Sequence, residues 1–220
     1  MSRAGRTATY TPGLVLALPF PLAADLATEL ASVLDIEGKI PRAIASLGPV
    51  AGRDVLLLDA EGSALESALS ALGARIIGGQ GAAPFRAEVP DASMDVIVSP
   101  WSGFRGVDAG EIDEADRVLR PGGRLLVIHD YGRDDVSRLR PARPELIAWS
   151  HRNGPFLKGG FRVHVVHCFW TFESGAAAGT FLERAFGEAG RDVAATLRRP
   201  RLSYNVAVYH RTRGGGPLAD

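Results

Sequence analysis

The residues best placed to do chemistry stand between an apolar run and a helix signal: Asp59, Glu61, Gly62 and Ser63 directly follow Val55, Leu56, Leu57 and Leu58. A strand that turns into a helix is a usual seat for a nucleotide-type ligand, because glycines let bare amides approach it at the helix start. Here only Gly62 is a glycine, and Asp59, Glu61 and Ser63 put side chains into that space. Ser63-Ala64-Leu65-Glu66 also reads as a capping box, which satisfies two free amides that a ligand would otherwise meet. The two carboxylates repel an anionic group and can pair with a cationic one.

Other candidates lie at the ends of apolar runs. His129-Asp130-Tyr131 closes the run 124–128, and open parallel sheets bind ligands at the carboxyl ends of their strands. Asp130 or Tyr131 could there act as a base or position a substrate; the plainer reading has Asp130 capping a following helix. Ser99-Pro100-Trp101 closes the run 95–98 in the same way, with Trp101 expected as a pocket wall. His164, His167 and Cys168 invite a metal hypothesis, yet on one strand His164 and Cys168 stand ~13 Å apart and His167 faces away, so they do not converge on an ion. Arg198, Arg199, Arg201, Arg211 and Arg213 have no acid among them and enclose Tyr204 and Tyr209. Such a patch could bind RNA phosphates and stack bases, against the plainer reading of solvated arginines beside a last strand.

The elements that must position these residues alternate. Leu22, Leu26, Leu30, Val33 and Leu34 fall at helical spacing, with Gly38 and Pro41 as stop signals, and a short helix follows over 40–47. Strands are expected at 55–58, 74–77, 95–99 and 124–129, with helices starting at Ser63 and spanning 109–119 between them. Pro121-Gly122-Gly123 reads as a tight turn into the fourth of these strands. A β-branched and aromatic strand at 162–172, a helix at 180–197 and a last strand at 202–209 complete the chain. Buried strands alternating with helices predict a parallel sheet covered on both faces.

At 220 residues the chain suffices for one domain with a full core. We expect that domain over 1–213, with 1–21 as an N-terminal arm and 214–220 as a disordered tail. The formal net charge is zero, so no long-range field draws the molecule to nucleic acid or membrane, and any such attraction must be local. A lone cysteine, Cys168, excludes an internal disulfide and fits a reducing cytoplasm. No apolar stretch approaches the ~20 residues of a spanning helix, so no membrane partner is expected.

In order and motif the chain resembles the class I S-adenosylmethionine-dependent methyltransferase family from about residue 40 to 130. The resemblance is carried by the segment 90–99, Pro-Asp-Ala-Ser-Met-Asp-Val-Ile-Val-Ser, and more specifically by 114–127, where Glu-Ala-Asp-Arg-Val-Leu-Arg-Pro-Gly-Gly leads into a buried strand. It implies a Rossmann-like, doubly wound, mostly parallel seven-stranded sheet, with S-adenosylmethionine as cofactor. Carried over position by position, the family's glycine loop falls on Asp59, Glu61 and Ser63, or in a shifted register on Glu61, Ser63 and Leu65. Its ribose-binding acid falls on Gln80 and its adenine-facing acid near Ala83, with Glu88 or Asp91 as substitutes. Ser99-Pro100-Trp101 loosely resembles the motif with which amino-methylating members hold a target nitrogen, but lacks its second proline and its amide.

The departures fall on cofactor contacts while the scaffold segments match. The expectation is therefore a methyltransferase-like protein with lost or altered cofactor binding, serving as a binding or assembly subunit with a protein partner, a larger complex or RNA. The alternative is an active methyltransferase on a small molecule or RNA.

Overall fold

In the computed structural model, residues 17–81, 85–105, 107–141 and 143–214 are described. The apolar run at 55–58 becomes β1 (Asp54–Leu58), buried on both faces and paired in parallel with β2 (Arg75–Gly79) and β3 (Met94–Pro100). Next to β3 runs β4 (Leu119–Asp130), also parallel. β6 (Arg201–Thr212) is antiparallel to β4, and β5 (Arg162–Thr171) forms the far edge against β6. The order is β2-β1-β3-β4-β6-β5.

Six strands stand among the described residues where seven were expected. The shortfall lies in the connection 80–93, which passes directly from β2 to β3 with no strand or helix among its described residues. A further parallel strand would need its own crossover of a dozen or more residues, and this connection is too short to hold both.

One face of the sheet is covered by α1 (Ala24–Val33), α2 (Lys39–Leu47), α3 (Ala64–Ala71) and α7 (Gly175–Thr196), and the other by α4 (Ala109–Val118), α5 (Pro144–Trp149) and α6 (Pro155–Lys158). Val55, Leu57, Val96, Val98, Leu126 and Ile128 point into the first core; Leu56, Leu58, Ile97, Leu125 and Val127 point into the second. That division follows from the two-residue period of each strand.

Two local expectations are corrected. Pro41 does not stop a helix but sits in the first turn of α2, where its missing N–H leaves nothing unpaired. The carboxylate of Asp35 instead accepts the N–H groups of Lys39 and Ile40 at 3.0 and 2.6 Å. Pro121-Gly122-Gly123 is an irregularity inside β4 and not a turn before it, since Met94 pairs with Leu119 and Val96 already with Arg124.

Candidate functional site

In this topology the strand order reverses between β1 and β3, so the crevice for a ligand lies above their carboxyl ends. The chain after β1 turns at Asp59, whose φ is 50°, a left-handed conformation that aspartate tolerates better than most residues. Its N–H donates to the Gly79 carbonyl at 2.8 Å, which holds the end of β1 to the end of β2. Helix α3 then starts on Ser63, whose hydroxyl accepts the Glu66 N–H at 3.1 Å. Glu66 reaches back to the Gly62 N–H at 2.5 Å and not to that of Ser63, which donates to Ala60. The capping box is thus shifted by one residue in its return arm.

Part of this crevice is taken up by main chain. Leaving β2, the backbone at Gly81 is buried between the end of β1 and the loop after β3. The Gly81 N–H donates to Asp59 Oδ2 at 3.0 Å. A Cβ on Gly81 would stand 3.0 Å from that oxygen, 3.2 Å from the Ser102 hydroxyl and 3.3 Å from Leu58 Cβ. Across the gap, a Cβ on Gly103 would come within 2.4 Å of the Gly81 carbonyl oxygen, so only glycine allows the two loops to close on each other. Downstream, Glu114 on α4 fastens the same connection by accepting the Ala87 N–H and pairing with Arg86 and Arg117. The Arg117 guanidinium holds the Glu114 carboxyl down to about 2.

Asp130, at the carboxyl end of β4, is buried and fully partnered. One oxygen accepts from Trp101 Nε1 at 3.1 Å and from the Tyr204 hydroxyl; the other pairs with the Arg140 guanidinium. Arg140 also donates to the Pro19 carbonyl and lies over the Phe20 ring at 4.4 Å. Asp130 caps no helix. Burial drives the Tyr204 phenol well above its usual range, so the hydroxyl keeps its proton and donates it. Tyr131 is half-buried, with Arg133 over its ring at 5.7 Å.

Of the residues expected to act together, the structure brings Glu61 and Gln80 to one cleft of about 540 Å³, which Gly78, Gly79, Arg86 and Glu88 also line. Asp59 is occupied with Gly81, and Ser63 with its helix. Ser63 and Trp101 line a second, mainly apolar pocket of about 270 Å³ with Leu34, Asp35, Ile40 and Leu65. Ala83 lies outside the described residues, as do all but Gly214 of the expected tail and residues 1–16 of the expected arm. Asp91 pairs with Arg117 at 2.5 Å. Cys168 is buried and donates to the Tyr204 carbonyl, while His167 meets the Asn205 side chain at 2.7 Å.

The expected continuous basic patch is corrected. Arg201 opens β6 and Arg211 lies ten positions further along it, roughly 34 Å at strand rise. Arg211 is buried and pairs with Asp116 at 3.0 Å, Arg213 donates to the Leu119 carbonyl, and Arg201 covers the Phe169 ring at 4.3 Å. Tyr204 and Tyr209 are 1% and 0% exposed and offer no face to a base. Of the five, only Arg198 and Arg199 are exposed.

Sequence reasoning missed Gly81, Gly103, Arg140 and Glu114. The cluster Gly78-Gly79-Gln80-Gly81 was a visible sign of a close approach, but its partner stands 22 positions later.

No protein-family model matches the chain, and no curated protein matches it. Among solved structures it is similar to a protein assigned as a methyltransferase of an antibiotic biosynthesis pathway in Anabaena variabilis, at 12% identity over 83% of this chain and 99% of that one, with a TM-score of 0.50. It is also similar to a protein assigned as a type II methyltransferase from Anaeromyxobacter dehalogenans, at 18% identity over 79% and 94% of the two chains and a TM-score of 0.49. A third is geranyl diphosphate C-methyltransferase from Streptomyces coelicolor, solved with S-adenosyl-L-homocysteine, at 14% identity over 91% and 90% and a TM-score of 0.43. The chain has the fold of the class I S-adenosylmethionine-dependent methyltransferases.

Proposed function

We propose that this protein uses the methyltransferase fold as a non-catalytic binding or assembly subunit and does not hold S-adenosylmethionine in the family's place. The observation that carries this reading is the backbone of Gly81, packed against Asp59, Ser102 and Gly103 at the switch point. A cofactor there would have to displace main chain, and not only side chains, from a buried position. The side chains agree with this reading. Asp59 accepts the Gly81 N–H through Oδ2, and Asp130 is engaged by Arg140, Tyr204 and Trp101. Fold likeness alone does not settle activity. An assembly role is supported by β2, which pairs only with β1 among the described residues and so leaves a parallel edge open to another chain.

Calorimetry and thermal shift with S-adenosylmethionine up to about a millimolar should show no binding and no stabilisation. A micromolar dissociation constant overturns the reading. The cleft of Glu61, Gln80 and Glu88 supports the second reading, an active methyltransferase with a displaced cofactor, because its acids could pair with the ammonium or sulfonium. In that case Glu61→Gln should weaken binding about tenfold, the loss of one charge-assisted contact.

A further inference from the structure

The sheet carries a second polar surface at its amino-terminal end, about 20 Å along β4 from Asp130. On β4, β5 and β6 the residues Arg124, Arg162, His164 and His210 all belong to the face that holds Leu126, Val166 and Val208. In the ladder His210 stands directly between Leu126 and Arg162, His164 stands opposite Val208, and Arg124 stands opposite Thr212. The four side chains are therefore direct or diagonal neighbours across three strands. None has a carboxylate or hydrogen-bond partner among the described residues, and His210 Nδ1 is buried without one. Helix α2, whose end at Gly48 closes over Arg124, contains no acid.

We infer that Arg124, Arg162, His164 and His210 form a binding site for a compact phosphate-bearing anion. Two guanidiniums with no carboxylate partner among the described residues repel each other on this face, and an anion relieves that repulsion while accepting hydrogen bonds from both forks and from the imidazoles. A compact ligand fits better than a long polyanion, because the molecule's net charge is zero and the cluster spans only four side chains on three strands. The state of His210 agrees: burial and then the cations Arg124, Arg162 and His164 lower its pKa, and every charged group acting on it is positive. A bound anion reverses that influence, so binding takes up a proton and strengthens as pH falls. The site is separate from the crevice and does not depend on whether the protein holds a cofactor.

Titration of the full chain with inorganic pyrophosphate by calorimetry at low salt tests the site. Binding should be submillimolar near pH 6 and several-fold weaker near pH 8, and the His210 imidazole followed by NMR should titrate at higher pH with ligand than without. Arg162→Gln and His210→Gln, both at solvent-accessible positions, should each weaken binding about tenfold with the thermal midpoint retained. No binding near pH 6, or binding untouched by both substitutions, overturns the proposal. So does single-stranded RNA that binds through these residues when pyrophosphate does not.

Discussion

Asp130 shows how a residue that looks catalytic in sequence is assigned another task by its neighbours. A carboxylate at the carboxyl end of a central strand is well placed for acid-base work, and the plainer sequence reading makes it a helix cap. Its partners arrive from Arg140, ten positions on, and Tyr204, 74 positions on, and together they engage both of its oxygens. Arg140 and Asp130 are 10% and 6% exposed in their side chains, so removing one leaves the other charged and unpaired in the interior. Asp130→Ala should cost about 3–5 kcal/mol in urea unfolding, and the double variant with Arg140→Met should recover part of that loss. An equal or greater loss in the double variant would show that the pair is not the cause.

At the scale of elements, the strands and helices were legible because each carries its own local pattern. The run at 55–58, the Ser63 cap and the acid-led helix before Pro121 all appear within a residue or two of expectation. The lack of a seventh strand among the described residues was not legible, since a count of strands rests on what the connection 80–93 does, and that stretch has no strong period. The closure at Gly81 and Gly103 was hidden for the same reason, being a contact between loops from separate strands. It gives a direct prediction. Gly103→Ala drives a methyl against the Gly81 carbonyl and should destabilise the protein by about 1–3 kcal/mol, with faster amide exchange at Gly81 than at Leu57 in the core of β1. Unchanged exchange at Gly81 would mean that the two loops are not held together in solution.

For the whole molecule, buried titratable groups set the response to acid. His129 lies between the Phe104 carbonyl at 3.2 Å and the Trp149 ring at 4.7 Å, and burial lowers its pKa to about 4. The unfolded chain binds its proton first, so this contribution is complete above about pH 6.5 and is lost as pH falls to about 4, to the extent of about 3 kcal/mol. Glu114, held near 2, adds a second loss only below about pH 4.5. Burial raises Asp35 and Asp134, which act in the opposite sense as they become protonated. Denaturant melts between pH 7.5 and 4 should therefore show falling stability that His129→Phe flattens. If the slope persists in that variant, the imidazole is not its source.

The Gly81 crossing also bears on how this architecture could be redesigned. What narrows the switch point is the route of the polypeptide at Gly81, and truncating Asp59 or Glu61 leaves that route in place. Recovering an open crevice would call for insertion: extra residues after β2 that let the backbone swing outward and form a further strand beyond the present edge. On the non-catalytic reading, an engineer seeking transferase activity should start with a loop graft and not with point substitutions.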